Sequence, residues 1–326
     1  MILSFAAALS IMLEPAPACR FDGEAQAWTV QALAAWSRLE SERIHPQTPS
    51  TPMLVLFDER CVHRLTPDPD GEFDSGGRSY ASRSEPHQGD FELPTGDRLP
   101  AVKLSFAAPL DDGGMFFVMA LPSIWRGDTA ERRDPEHLAM LVFMHEFSHT
   151  QQDGLAGRIT ELVHSGLSGE VDDDIVQKRW SDDPAYVTRY ELERDLLYAA
   201  AQAGSASEAR AILAEARAAM VERRTRFMGD EPRMREADDV FLTFEGAGNW
   251  AAWMWLVDPE GGGLTADEAT EFVRGSRRWW TQDQGLALML TLDRLWREWP
   301  RHAFGPDGMT ADELIARALQ PSRSSE

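Results

Sequence analysis

The 326-residue sequence predicts an α+β fold, with a strand-bearing N-terminal part followed by a mainly helical C-terminal lobe. Three observations carry this. Short apolar runs of strand length, MLVLF (53–57), AVKLSF (101–106) and MFFVMAL (115–121), all lie before residue 122. From Asp134 onward, apolar residues recur at helical spacing. Hydrophobic residues at 43% and charged residues at 26% fit a chain that buries a large core. The formal net charge of −22 repels phosphate backbones, which argues against nucleic acid and anionic membrane as partners.

In chain order, MILSFAAALSIML is an apolar run too short to span a bilayer. Ala16-Pro17-Ala18 after it fits the small-x-small rule for cleavage, so residues 1–18 read as a signal peptide and the protein as periplasmic or secreted; otherwise it is cytoplasmic. The two cysteines, Cys19 and Cys61, would then form one disulfide. Residues 24–43 have helical spacing, with Ala27, Val30 and Ala34 on one side. MLVLF reads as a buried strand, and 66–100, rich in Pro, Gly, Ser and Asp, as a long surface loop. AVKLSF and MFFVMAL read as strands joined by a turn at Asp111-Asp112-Gly113-Gly114. Asp134 is an N-cap and Pro135 the first residue of a helix that is apolar on nearly every side, from Leu138 to Met144. Further helices are expected near 185–203, 206–227, 232–257, 266–275, 282–298 and 310–319. The chain thus divides at 19–128 and 129–326, two lobes of one domain.

The chemistry lies in FMHEFSHTQQ (143–152). His145 and His149 are four apart, so on a helix they point the same way and both can offer a ring nitrogen to one ion. Glu146, one step round, can reach a water on that ion. Zinc with an open position acidifies its water and polarises a carbonyl, and a glutamate beside it accepts the proton. Two imidazoles and a carboxylate inside an all-round apolar helix are costly unless something compensates them, and a bound metal does so.

HEFSH, with the strand MFFVMAL before it, resembles the zincin metallopeptidases. The resemblance implies a zincin-like fold: a small mixed sheet whose edge strand precedes the active-site helix and binds an extended peptide or protein substrate by β-addition. Leu155 stands where metzincins carry a third histidine, so the resemblance points to the gluzincins, which take a glutamate from a later helix. Three glutamates compete. Glu193 is centred in the apolar stripe of YVTRYELERDLLYAA, with Tyr186, Tyr190 and Leu197, and a carboxylate there needs a partner. Tyr186 stands seven before it, as in the anthrax lethal factor type of gluzincin, where such a tyrosine steadies the transition state. Glu191 with Asp195 makes the ExxxD of thermolysin-like members. Glu245 in FEGAGN resembles the EGxA of aminopeptidase-like members; it lies 245 − 149 = 96 residues after His149, against 193 − 149 = 44 for Glu193, and shorter spacings favour Glu193.

The expectation is a Zn2+-dependent hydrolase, a metallopeptidase, with His145, His149 and Glu193 on zinc (alternatives Glu245 and Glu191), Glu146 as base and Tyr186 at the oxyanion. The alternatives are a binding or structural protein stapled by zinc, and a metal hydrolase of a non-peptide substrate. His164 reads as a surface histidine, Asp172-Asp173-Asp174 as a solvated loop, and the tryptophans of the C-terminal half as mostly core, with the rim of a hydrophobic groove as the alternative for Trp279-Trp280.

Overall fold

The computed structural model describes residues 18–46, 49–110, 113–128, 131–167, 171–229 and 231–320. All but the last residue of the expected leader, and half of the turn at 111–114, lie outside them.

The chain begins with helix α1 (Gly23–Leu39), extended by a wider π turn over Glu40–Ile44. Its buried side carries Trp28 and Trp36, which meet Phe143 and Phe147 of the motif helix at ring separations of 5.7 and 5.3 Å. A disulfide joins Cys19, just before α1, to Cys61, closing a separation of 42 residues.

Strands β1 (Met53–Phe57), β2 (Cys61–Pro67), β3 (Phe73–Ser75), β4 (Arg78–Pro86), β5 (Asp90–Glu92), β6 (Arg98–Pro100), β7 (Ser105–Pro109) and β8 (Met115–Ala120) follow. Six of them form one sheet in the order β3-β4-β2-β1-β8-β7, and β5 and β6 pair separately. The pairing of β1 with β8 is parallel and the other pairings are antiparallel, so the sheet is mixed.

Two expectations change here. Residues 66–100 are not a loop: they carry the end of β2 and all of β3 to β6. Strand β4, RSYASRSEP, is polar and mostly half-buried, with Arg78 and Tyr80 inside, and its ladder to β2 forms through the backbone. The strand before the motif helix is also not the edge. β8 lies between β1 and β7, and Phe116 to Ala120 are buried, as suits an interior strand apolar on both faces. The edge next to β8 is β7, half-exposed along its length; it starts at Ser105, four residues later than the AVKLSF run would place it, and ends at Pro109.

The helical part contains α2 (Pro122–Arg126), α3 (Pro135–His149), α4 (Asp153–His164), α5 (Ile175–Trp180), α6 (Pro184–Gln202), α7 (Ala206–Met228), α8 (Pro232–Val257), α9 (Ala266–Arg274), α10 (Trp280–Leu295), α11 (Pro300–Ala303) and α12 (Ala311–Ala318). Local signals set the starts. Asp134 accepts a hydrogen bond from the His137 N–H, Ser205 accepts one from Glu208, and Thr265/Glu268 and Thr310/Glu313 form reciprocal capping boxes. Helix α8 lies between α3 and α10. Where α8 crosses α10, a Cβ on Gly246 would come within 2.7 Å of the Gly285 backbone, so only glycine permits this approach. One hydrophobic core spans α1, the sheet, α3, α8 and α10, and a second lies between α4, α5, α6, α7 and α8. Among the described residues, no helix is long and apolar enough to cross a membrane.

Candidate metal centre

Burial of α3 on all sides carries both histidines inside, each 6% exposed. Their rings stand one turn apart, nearly perpendicular, with Nε2 atoms 3.2 Å from each other. His149 also stacks on Phe244 of α8 at 4.0 Å. Glu146 stands beside them, its Oε1 accepting from the Ser105 hydroxyl of edge strand β7 at 3.3 Å. His145, Glu146 and His149 offer ligand atoms that all lie within 4.8 Å of one another.

A second carboxylate at the histidines belongs to Glu245 of α8. Its Oε2 lies 3.2 Å from His145 Nε2 and its Oε1 3.7 Å from His149 Nε2, and Gln282 Nε2 of α10 donates to Oε2 at 3.1 Å. Glu193, favoured by the sequence, lies elsewhere. It is fully buried, and Arg223 Nε of α7 bonds both its oxygens at 2.9 Å while Gln284 donates at 3.0 Å. Arg223 reaches on to Asp238 at 3.0 Å and to the Tyr186 hydroxyl. Tyr186 is thus buried in that network, stacked between Trp180 and Trp280, away from the histidines. Periodicity marked Glu193 as a buried carboxylate in need of a partner, and the partner is an arginine. Glu191 is exposed, and Asp195 pairs with its neighbour Arg194.

The histidines are fixed by amides that the sequence reading did not single out. His145 Nδ1 bonds Asn249 Oδ1 at 2.9 Å, and His149 Nδ1 bonds Gln152 Oε1 at 2.8 Å. The amide nitrogens are committed to backbone carbonyls, Asn249 Nδ2 to Gln282 at 3.0 Å and Gln152 Nε2 to Phe244 at 3.3 Å. Each amide oxygen must therefore face an imidazole, and because it can only accept, each Nδ1 carries the proton. Both Nε2 lone pairs then converge with a carboxylate, a donor set that fits a divalent cation of the zinc class. Gly248 makes room for this: a Cβ there would lie 3.0 Å from His145 Nδ1. Spacing offered a signal for these amides, since Gln152 stands three after His149 and Asn249 four after Glu245.

Electrostatics at the site are tightly coupled. Burial pushes His149 down to about 4. Burial also opposes the charged form of His145, but Glu245 outweighs it and raises the imidazole to about 9, so a metal must displace a proton from Nε2 to reach its lone pair. Burial would raise Glu245 too, and the two histidines hold it below the ordinary carboxylate value. Glu146 has no cation bonded to it, and burial lifts it to about 7.

Two cavities meet at the motif, both lined by His145, Glu146 and Gln282. One, of about 420 Å³, runs beneath β7 between Phe106, Met115, Ile159, Phe241 and Phe244. Asp173 faces it, so the run at 172–174 is not simply a solvated loop; burial and then Glu245 push Asp173 up to about 7. The other, of about 350 Å³, opens past Asn249 towards Trp279, which rims it at 40% exposure, whereas Trp250, Trp255 and Trp299 are core. His164 is exposed, as expected.

Comparison with family profiles, with curated proteins and with solved structures returns no match.

Proposed function

We propose that this protein is a zinc-class metal hydrolase that cleaves peptide bonds. The observation that carries the reading is the convergence of two Nε2 lone pairs, fixed by Asn249 and Gln152, with the Glu245 carboxylate beside the open cleft. In it, His145, His149 and Glu245 hold the ion. When bound, a zinc ion supplies Lewis acidity and lowers the pKa of its water to about 7. Glu146, aimed by the Ser105 hydroxyl, accepts a proton on its carboxylate and delivers it to the leaving nitrogen. Gln282 keeps Glu245 oriented, and Asn249 and Gln152 keep the imidazoles from turning.

The outer edge of β7 supports a peptide substrate. Its unpaired backbone groups offer an extended chain a ladder across the cleft, with side-chain space among Phe106, Phe241 and Phe244. Three protein donors facing a cavity favour catalysis over a staple, for which four protein ligands close the ion off. The Cys19–Cys61 disulfide supports an oxidising compartment and hence export.

The test is Glu146→Gln. Zinc content, by plasma mass spectrometry, should stay at the parent's level, while hydrolysis of a peptide library falls by about 10³-fold or more. A variant as active as the parent would overturn the mechanism.

A further inference from the structure

The cavity on the Asn249 side has an unusual composition for this chain. Its floor is aliphatic, built from Leu138, Leu141, Val273 and Leu286, yet four basic side chains line it, in a sequence with 54 acidic residues against 32 basic. Three of the four are neutralised locally: Arg133 by Glu131 at 2.8 Å, Arg274 by Asp283 at 2.8 Å, and Lys103 by Asp128. The fourth, Arg278, has no carboxylate within ion-pair distance among the described residues. Its guanidinium lies over the Trp279 ring at 4.5 Å.

The backbone presenting Arg278 is pinned. Gln177 of α5 donates to the Arg278 carbonyl at 2.7 Å and accepts from the Trp280 N–H at 3.0 Å. Arg277 before it sits at φ 54°, a left-handed conformation that a non-glycine residue holds only when its surroundings impose it. Arg278 is therefore an exposed cation on a pinned backbone, with no ion pair among the described residues although its charge reaches Asp174, at the mouth of an aliphatic pocket that ends at His145 and Glu146.

We propose that this cavity is an acid-selective subsite: beside the bond to be cut it takes a residue bearing a carboxylate on a short aliphatic stem, with Arg278 as the specificity-determining residue. The carboxylate is a glutamate side chain or a free C-terminus, which share the same chemistry. The aliphatic stem lies on Leu138 and Leu286, and the carboxylate meets the guanidinium that lies over Trp279. The acidic surface elsewhere repels such a substrate, so the attraction is local to this mouth. The inference deepens the hydrolase reading and rests on it.

The experiment uses the full zinc-loaded chain and peptides that differ only as Glu, Gln, Leu or Lys at one position, each with a free or amidated C-terminus. The parent should prefer Glu over Gln by about tenfold in kcat/KM, the size of one hydrogen bond to a charged group. Arg278→Ala should erase the preference and Arg278→Glu should invert it towards Lys. Preference within amidated peptides identifies the side chain; preference confined to free acids identifies the terminus. Calorimetric binding of the same peptides to Glu146→Gln separates the two readings. Selective binding lost in Arg278→Glu, without turnover by the parent, keeps the subsite and removes the hydrolase. Turnover with no charge preference keeps the hydrolase and overturns the subsite. Neither turnover nor selective binding overturns both.

Discussion

Glu193 and Glu245 are both buried glutamates on apolar helices, yet their removal should have opposite signatures. Glu193→Ala leaves Arg223, 1% exposed, with one carboxylate fewer; Asp238, itself shared with Arg224 at 2.6 Å, cannot satisfy it alone. Breaking one side of a buried ion pair costs about 3–5 kcal/mol. Unfolding entropy of about 2.1 cal/mol/K per residue gives about 0.7 kcal/mol/K for 326 residues, so the loss lowers Tm by about 6 °C. Zinc should remain at one per chain. Glu245→Ala should instead abolish zinc retention, and a chelator should no longer change its Tm, because no ion remains to stabilise the fold. Differential scanning calorimetry and plasma mass spectrometry on the two variants read both quantities. Zinc lost from Glu193→Ala with Tm unchanged would refute the reasoning and return the third ligand to α6.

Asn249→Ala and Gln152→Ala release the imidazoles, so each should weaken zinc binding by about 10–100-fold in a chelator competition, and an unchanged affinity would remove the amides from the site. Replacing Cys19 and Cys61 by serine frees a loop of 42 residues in the unfolded chain and should cost about 4 kcal/mol by denaturant titration; equal midpoints would show that the bridge constrains nothing. Asp58 gives a pH signature. Burial pushes it up, but His63 and the N–H groups of Arg60 and Cys61 outweigh that and hold it at about 2. A depressed carboxylate contributes its stability fully above the ordinary value and loses it as pH falls through the folded one. Its carboxylate is 25% exposed, so the contribution is about 1 kcal/mol, and the gap between parent and Asp58→Asn should shrink by about half between pH 6 and pH 3. A gap constant over that range would assign the effect to packing.

Most of the long helices were legible because their ends are written locally; α4, and the short α2, α5 and α11, were not expected. Asp134-Pro135, Asp183-Pro184, Ser205 and the capping pairs at 265/268 and 310/313 place starts within a residue or two. Strand β4 was not legible, because its polar, two-sided sequence takes its structure from pairing with β2. The HExxH triad was legible from spacing alone, but the partner of each downstream glutamate was not. A clue was present: Ala209, Leu213, Ala216 and Met220 form the buried stripe of α7, and Arg223 continues it at the same spacing. A cation and a carboxylate, each centred in an apolar stripe on adjacent helices, satisfy each other, and that leaves Glu245 for the histidines.

Helix α8 carries Glu245, Gly248 and Asn249 on one face within a single turn, so the third donor and the clamp on His145 travel as one body. On the proposed reading, every group that would hold the ion, or fix the imidazoles that do, comes from the helical layers. The sheet reaches the motif through β8, whose Phe117 packs on Phe143 and Phe147, and through β7, which brings Ser105 and an open edge to Glu146. A change at β7 would therefore alter how a chain is seated and how Glu146 is aimed, while the spacing of the three donors is set by the helices. In the proposed hydrolase, holding the ion and admitting the chain fall to different layers of the fold.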